Sequence, residues 1–327
     1  MRAVVLSEFG EPSVLRVTDI PDPQPAPDEI LVDVRATALN RADLLQRRGL
    51  YPNPFPDAFD VPGMEFSGTV AAVGERVRAW KPGDEVMGVV AGGAYAERLV
   101  IHERQAMRIP RGVSLADAAA IPEVFITAWD AIVVQGGLTS GRWVLVHAAA
   151  SGVGTAAVQI AKAIGARVVA TCSAGKVAAV RALGADVVVD YSSEDFVAAV
   201  RDATAGRGVD VILDVVGGDY LDRNVAAIAV KGRIVQVGVM AGGAVQFNLG
   251  ALLPKRASLT GTVLRARPLE EKIAVSQRFA AEVLPLFESG ALRVVIDTRY
   301  RLDDIAAAHA FMETNANVGK ILVDVTV

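Results

Sequence analysis

The chain is poor in the residues that bind metals or cross-link a fold. It has one cysteine, Cys172, and three histidines, His102, His147 and His309, far apart in sequence. One cysteine makes no disulfide within the chain and excludes a Cys-rich structural zinc site. The histidines lack ligand spacing, so each is read as a packing or surface residue. Charges or turn residues interrupt every apolar stretch well before the roughly 18 residues of a membrane-spanning helix. The opening stretch, MRAVVLSEFG, carries too short an apolar run for a secretory signal. The expectation is a soluble cytoplasmic protein. There is also no basic excess. The 33 Lys and Arg against 37 Asp and Glu give a net charge of -4, so nucleic acid is not an expected partner.

What is present is apolar. Hydrophobic residues make up 52% of 327, enough for large cores and, at about 150 residues each, for about two domains. Residues 1–120 read as short β-rich runs (RAVVL, ILVDVRATAL, FSGTVAAVG, ERLVI) separated by proline-rich turns such as PDPQPAPDE. They suit a compact β-barrel-like domain better than βαβ units. The texture changes near Ile121. From Trp143 onward, runs of Val, Ile and Leu alternate with amphipathic helical patterns: WVLVH then TAAVQIAKAIG, RVVAT then GKVAAVRALG, VVVDY then SEDFVAAVRDAT, VDVILDVV then DYLDRNVAAIA, then GRIVQVG. Strands apolar on both faces, each followed by a helix, imply a doubly wound parallel sheet over residues 121–264. SLTGTVL is read as its sixth strand. Residues 265–327 are read as a long helix near 269–288, a strand VVIDTRY, a helix LDDIAAAHAFME and a final strand KILVDVTV.

The first strand–helix junction carries AASGVG, residues 149–154. A dinucleotide loop is usually G-x-G-x-x-G, whose glycines make a tight turn, admit the pyrophosphate and let helix pack on strand. Ala149, Ser151 and Gly154 occupy those places, with Gly152 and Val153 between. The first two are small enough for a phosphate to reach the helix N-terminus, where free N–H groups and the dipole favour an anion. Ser151 is read both as a hydroxyl facing the cofactor and as a helix N-cap. The next strand should end beside the adenine ribose, where an NAD site carries Asp or Glu. No acidic residue occurs between Thr155 and Ala185, whereas Ser173, Lys176 and, at the end of the third strand, Tyr191 stand where a 2′-phosphate would lie. NADPH is therefore expected over NADH, although Lys176 also reads as an ordinary solvated lysine at a helix start.

The stretches ALNRADLLQRRGLY, VPGMEFSGTVAAVG, AAAIPEVFITAWDAI, HAAASGVGTAAVQIAK and LLPKRASLTGT carry a resemblance that covers essentially the whole chain. It resembles the quinone oxidoreductase branch of the medium-chain dehydrogenase/reductase superfamily, and within it is most similar to the tumour-suppressor-inducible NADPH:quinone oxidoreductase type. The resemblance implies a GroES-like catalytic barrel interrupted by a Rossmann domain and completed by the C-terminal segment, with NADPH in the cleft between. The superfamily's zinc-dependent members place a Cys and a His where this chain has Asn40 and Met64, so the resemblance implies no metal site. It places Asn40 by the nicotinamide and the acceptor, Tyr51 in the acceptor-lining GLYPNPFP loop, and Ser151 at the active-site cleft. It also places Thr127, Gly238 and Asn317 against the cofactor. Asn40 otherwise reads as a loop cap, and Tyr51 as a surface aromatic.

The expected reaction is hydride transfer from NADPH to a small-molecule quinone. Reduction of the C=C bond of enones or enoyl thioesters, with Tyr51 as proton donor, is a second reading. A non-catalytic NADPH- or RNA-binding protein is a third. The run from Leu259 to Leu264 has no charge and no proline, so it leaves an open sheet edge suited to pairing with a second copy of the chain, and a homodimer is expected.

Overall fold

The computed structural model describes residues 1–54 and 59–326. The chain divides into two compact units, one of Met1–Ile126 with Leu264–Val327, the other of Thr127–Val263.

The first unit opens with a hairpin-like pair, β1 (Arg2–Val5) and β2 (Arg16–Asp19), antiparallel to each other. β3 (Glu29–Ala38) follows, then a short helix α1 (Arg41–Arg47), then β4 (Glu65–Val73), β5 (Glu85–Val89), β6 (Arg98–His102) and β7 (Met107–Arg108). β3 pairs with both β4 and β6, and β4 pairs with β5, all antiparallel. Apolar residues facing inward from these strands, among them Ile30, Val32, Phe66, Val86, Leu99 and Ile101, form one core. The helix α2 (Pro122–Trp129) opens with proline at its first position, where the missing N–H costs nothing. Sequence periodicity did not flag it, because it is apolar on nearly every face.

The second unit runs β8 (Trp143–Val146), α3 (Gly152–Ala163), β9 (Arg167–Cys172), α4 (Val177–Ala182), β10 (Val187–Asp190), α5 (Phe196–Ala203), β11 (Val209–Asp214), α6 (Tyr220–Ala227), β12 (Ile228–Gln236), α7 (Leu252–Lys255) and β13 (Ser258–Gly261). All neighbouring strands are parallel, in the order β10-β9-β8-β11-β12-β13. Every residue of β8 and of β11 is buried, the signature of central strands covered on both faces. The strand order reverses between β8 and β11. In an open α/β sheet such a reversal marks the crevice where ligands bind, at the carboxyl ends of the strands. β13 is the edge strand and all four of its residues are exposed. It is shorter than expected: the run SLTGTVL stays extended only through Gly261. Beyond it, Thr262 N–H still bonds to Gln236 O (3.0 Å), while its hydroxyl accepts from Gln135 Nε2 (2.7 Å).

The return segment holds α8 (Leu269–Glu282), α9 (Leu284–Glu288), β14 (Ile296–Arg301), α10 (Ile305–Glu313) and β15 (Lys320–Asp324). The single helix expected near 269–288 is two. Pro285 has no N–H for the carbonyl of Ala281, and the break falls at Val283, where φ widens to −112°. β14 pairs parallel with β15, and β15 pairs antiparallel with β3, so the last strands complete the sheet that β3 begins. Among the described residues no helix is long and apolar enough to cross a membrane.

Candidate functional site

In the second unit the candidate residues gather on the loop after β8. Ala148 takes a left-handed conformation (φ 49°) and makes the tight turn, one residue before the first-glycine place assigned from sequence. Ala149 is buried, and its N–H donates to Thr171 O (2.9 Å) on the adjoining strand. Ser151 is the N-cap of α3, its Oγ accepting from Gly154 N (3.0 Å). The cap reading is thus realised, and the hydroxyl keeps its own proton to donate. Gly152 and Val153 stand in the first turn, where N–H groups have no partner inside the helix. At Gly154 a Cβ would lie 2.6 Å from Ala149 Cα and nearer still to Ala148 O, so nothing larger than glycine packs there.

The adjoining strand ends form a second group. Ser173 and Lys176 flank a short 3-10 turn after β9, with Lys176 N–H bonded to Ser173 O (2.9 Å). Tyr191, half exposed, follows β10, its N–H donating to Cys172 O (3.1 Å). One acidic residue was missed. Asp190, paired in register with Cys172, sits beside this turn although it lies beyond the acid-free stretch from Thr155 to Ala185. Its carboxylate accepts from Ser192 Oγ (2.7 Å), Ser192 N (3.1 Å) and Ser193 Oγ (3.0 Å). Those bonds to Ser192, joined by Ser193 and the backbone of Ala174, hold its pKa below the ordinary value. The carboxylate is occupied in pinning the turn. Thr127 is half buried on α2, and Gly238 lies two residues beyond β12, its carbonyl accepting from Gln236 Nε2 (2.6 Å).

The first unit holds Asn40, Tyr51 and Asn317. Asn40 occupies the N-cap position of α1, so the capping reading holds in position, but its side chain does more. Its Nδ2 donates to Glu65 Oε1 (2.9 Å) and Ala38 O (3.3 Å), and its Oδ1 accepts from Lys320 Nζ (2.7 Å). Both amide protons are therefore committed inside the unit. Lys320 and Glu65 form a buried ion pair (2.7 Å), 4% and 0% exposed in their side chains. The remaining Glu65 oxygen accepts from Glu123 N (2.8 Å) at the start of α2. Asn317, also buried, donates to Gly319 O (2.8 Å).

Beneath Asn40 lies a second buried network. Asp43 Oδ2 accepts from Asn40 N (2.8 Å) and Tyr95 Oη (2.9 Å), and Tyr95 Oη lies 3.3 Å from His309 Nε2. Burial pushes Asp43 up to about 6 from 3.8. A carboxyl so raised favours the fold most when protonated; that contribution is present below the ordinary value and is lost as pH rises through about 6. Burial, with Arg47 nearby, lowers His309 to about 3, so its ring is neutral.

Tyr51 rests on Arg265, whose guanidinium carbon is 5.2 Å from the phenol ring centroid. Arg265 is 4% exposed and donates to Ala91 O (2.5 Å), Gln46 Oε1 (2.7 Å) and Tyr51 O (3.2 Å). One buried cation thus fastens the Tyr51 loop, α1 and the segment after β5. Burial raises the Tyr51 phenol above its ordinary value and the charge of Arg265 opposes this, so the phenol remains a protonated donor at neutral pH. Phe55 and Pro56 of the same loop lie outside the described residues. Sequence reasoning missed Arg265, Glu65 and Lys320; a buried charge looks like a surface charge until its partners are known.

The matching places for zinc ligands hold Asn40 and the buried Met64, and among the described residues no three His, Cys, Asp or Glu are grouped to hold a metal. These residues do not fit a zinc ion.

Residues 26–111 match the model of the alcohol dehydrogenase GroES-like domain, and residues 152–289 that of the zinc-binding dehydrogenase. A quinone oxidoreductase of Pseudomonas aeruginosa is 32% identical over 325 residues, 97% of this chain and 98% of that protein. Erythronolide synthase EryA2 of Saccharopolyspora erythraea is 43% identical over 194 residues, 56% of this chain and 5% of the synthase. A 2-methylene-furan-3-one reductase of Solanum lycopersicum is 33% identical over 211 residues, 60% of this chain and 53% of the reductase. The chain therefore spans a small fraction of the synthase and about half of the tomato enzyme. The crystal structure of Escherichia coli quinone oxidoreductase complexed with NADPH aligns with a TM-score of 0.89 at 31% identity, covering 99% of this chain and 100% of that one. A relative matched almost end to end in both proteins, with a GroES-like unit interrupted by a doubly wound one, establishes that the chain belongs to the medium-chain dehydrogenase/reductase superfamily, in the company of its quinone oxidoreductases.

Proposed function

We propose that the chain is a zinc-independent NADPH:quinone oxidoreductase. The observation that carries this reading is the end-to-end similarity to a quinone oxidoreductase. The metal-unfriendly pair Asn40 and Met64 and the Tyr51–Arg265 stack support it. When bound, the nicotinamide supplies a hydride. Ala149, Ser151, Gly152, Val153 and Gly154 form the loop that receives the pyrophosphate, with the free amides of the first turn as donors. Ser173, Lys176 and Tyr191 hold the 2′-phosphate end, and Thr127, Gly238 and Asn317 make the remaining cofactor contacts. Tyr51 donates a hydrogen bond to the acceptor oxygen as charge develops on it, and the cation beneath its ring strengthens that donation. Asn40, locked by Lys320 and Glu65, shapes the acceptor side and does not donate.

Tyr51→Phe is expected to lower kcat on the order of tenfold to hundredfold while NADPH affinity stays unchanged. Steady-state kinetics with several quinones checks this; an unchanged kcat would make Tyr51 a wall residue. Enone reduction is the second reading, favoured by the similarity to the tomato 2-methylene-furan-3-one reductase. Rates with naphthoquinone, phenanthrenequinone, an enone and crotonyl-CoA, measured with NADPH and a chelator, separate the two. Quinones turned over fastest support the first reading, and crotonyl-CoA or the enone turned over fastest supports the second.

The working form is proposed to be a homodimer. Among the described residues β13 has no partner strand on its outer side, and Leu249, Leu253, Leu259 and Val263 near it are 69%, 74%, 43% and 50% exposed. An apolar, uncharged edge is a template for a second copy, and a two-fold contact closes at two chains. Light scattering should give twice the chain mass, and Thr260→Pro should shift it toward one. A folded Thr260→Pro variant that stays dimeric would place the interface elsewhere.

A further inference from the structure

A chain of buried polar side chains crosses the strand reversal between β8 and β11. His147, directly after β8, is fully buried. Its Nε2 lies 2.7 Å from Asn224 Oδ1 on α6, and its Nδ1 lies 3.0 Å from Thr171 Oγ1 on β9. Asn224, also fully buried, donates from Nδ2 to Asp214 Oδ2 (2.8 Å). Asp214 ends β11 and accepts through Oδ1 from Val216 N (2.6 Å) and Gly217 N (3.0 Å). Phe196 and Tyr220 press their rings edge-on against the imidazole, each 4.8 Å away between centroids.

The hydrogen-bond inventory fixes every proton in this chain. The Asp214 carboxylate only accepts, so the Asn224 amide nitrogen must face it and the amide oxygen must face His147. His147 Nε2 is then the donor, Nδ1 is bare, and the Thr171 hydroxyl donates to it. Burial favours the uncharged ring. The carboxylate of Asp214 and the bond to Asn224 pull the imidazole pKa upward while Arg223 pushes it down, and burial, the largest influence, leaves it below the ordinary value.

We infer that His147 is a positioning residue of the dinucleotide site: as the neutral Nε2–H imidazole it ties the loop after β8 to the loop after β11 across the crevice. Its backbone N–H bonds to Leu213 O (3.1 Å) on β11. The residue that follows it, Ala148, is the left-handed turn from which the Ser151–Gly154 loop departs. Thr171, the other partner of the imidazole, also holds Ala149 N–H through its carbonyl. Losing the imidazole bonds would strand Asn224 Oδ1 and Thr171 Oγ1 in the interior and free the turn that aims the Gly152 and Val153 amides. The inference rests on the reading that NADPH binds this crevice.

Two measurements on the full chain test it. The first is the NADPH dissociation constant of the wild type, of His147→Phe, which keeps the ring packing without the hydrogen bonds, and of His147→Gln, whose amide can still donate to Asn224. The second is a nitrogen NMR spectrum of the histidine-labelled wild type between about pH 8 and pH 5, the range in which an ordinary imidazole titrates. The expected result is NADPH binding weakened at least about tenfold in His147→Phe, equivalent to about 1.4 kcal/mol. Quinone KM at saturating NADPH should not change, and His147→Gln should recover most of the lost affinity. His147 should be neutral with its proton on Nε2 at pH 8 and should take up a second proton only at a lower pH than an ordinary imidazole. Wild-type NADPH affinity in a folded His147→Phe variant would overturn the inference. So would a proton on Nδ1, or titration of His147 near the ordinary value. A wild-type chain that binds no NADPH would instead overturn the functional reading, and the inference with it.

Discussion

Replacing Lys320 with methionine is expected to destabilise the chain by about 3–5 kcal/mol, the cost of leaving a buried charge without its partner. Glu65 is wholly buried and faces the Lys320 ammonium at 2.7 Å, with the Asn40 amide between them as a shared ligand. Lys320 Nζ also donates to Leu39 O (2.6 Å), so one side chain satisfies the end of β3, the start of α1 and the Glu65 carboxylate. Methionine fills the volume and satisfies none of them. The paired change Lys320→Met with Glu65→Gln should cost less than the sum of the two single changes, because removing both charges leaves no ion stranded. Urea unfolding of the four proteins of this cycle measures the effect. A loss under about 1 kcal/mol for Lys320→Met would show that the pair behaves like a solvated surface bridge.

Lys176→Ala should weaken NADPH binding by roughly tenfold to hundredfold and leave NADH binding nearly unchanged. That is the fold-change equivalent of one charge-assisted hydrogen bond of about 1.5–3 kcal/mol. Lys176 closes the 3-10 turn at the carboxyl end of β9, where a ribose phosphate would be read. Asp190 stands on the neighbouring strand, and its oxygens are taken up by Ser192 and Ser193, which limits its repulsion of a phosphate. Titration with both cofactors checks the prediction. Equal losses for the two would mean that Lys176 does not read the 2′-phosphate.

The doubly wound unit was legible because its strands are continuous in Val, Ile and Leu and its helices keep a single apolar face. The loop was legible for a similar reason: small residues at 149, 151 and 154 stand between a strand and a helix, and the close approach at Gly154 shows why the last of them is glycine. Other features depend on contacts that a linear pattern does not carry. α2 has no polar face to give it a period. The break at Val283 comes from a proline that the periodic pattern runs straight through. The left-handed turn falls on Ala148, where composition favours no such turn. Nothing in the linear pattern marks Glu65, Lys320, Arg265 and Asp43 as buried; their burial follows from segments brought together across nearly the full length of the chain. The bonds of the Asn40 amide were hidden for the same reason: its Nδ2 donates to Glu65, and its Oδ1 accepts from Lys320, 280 residues away.

The most direct test of the central claim is a single turnover: the chain loaded with NADPH and mixed with naphthoquinone in the presence of a chelator, with cofactor oxidation and quinol formation followed together. One quinol is expected for each NADPH oxidised, undiminished by the chelator. Failure to oxidise NADPH with any quinone, or turnover that requires added zinc, would contradict it.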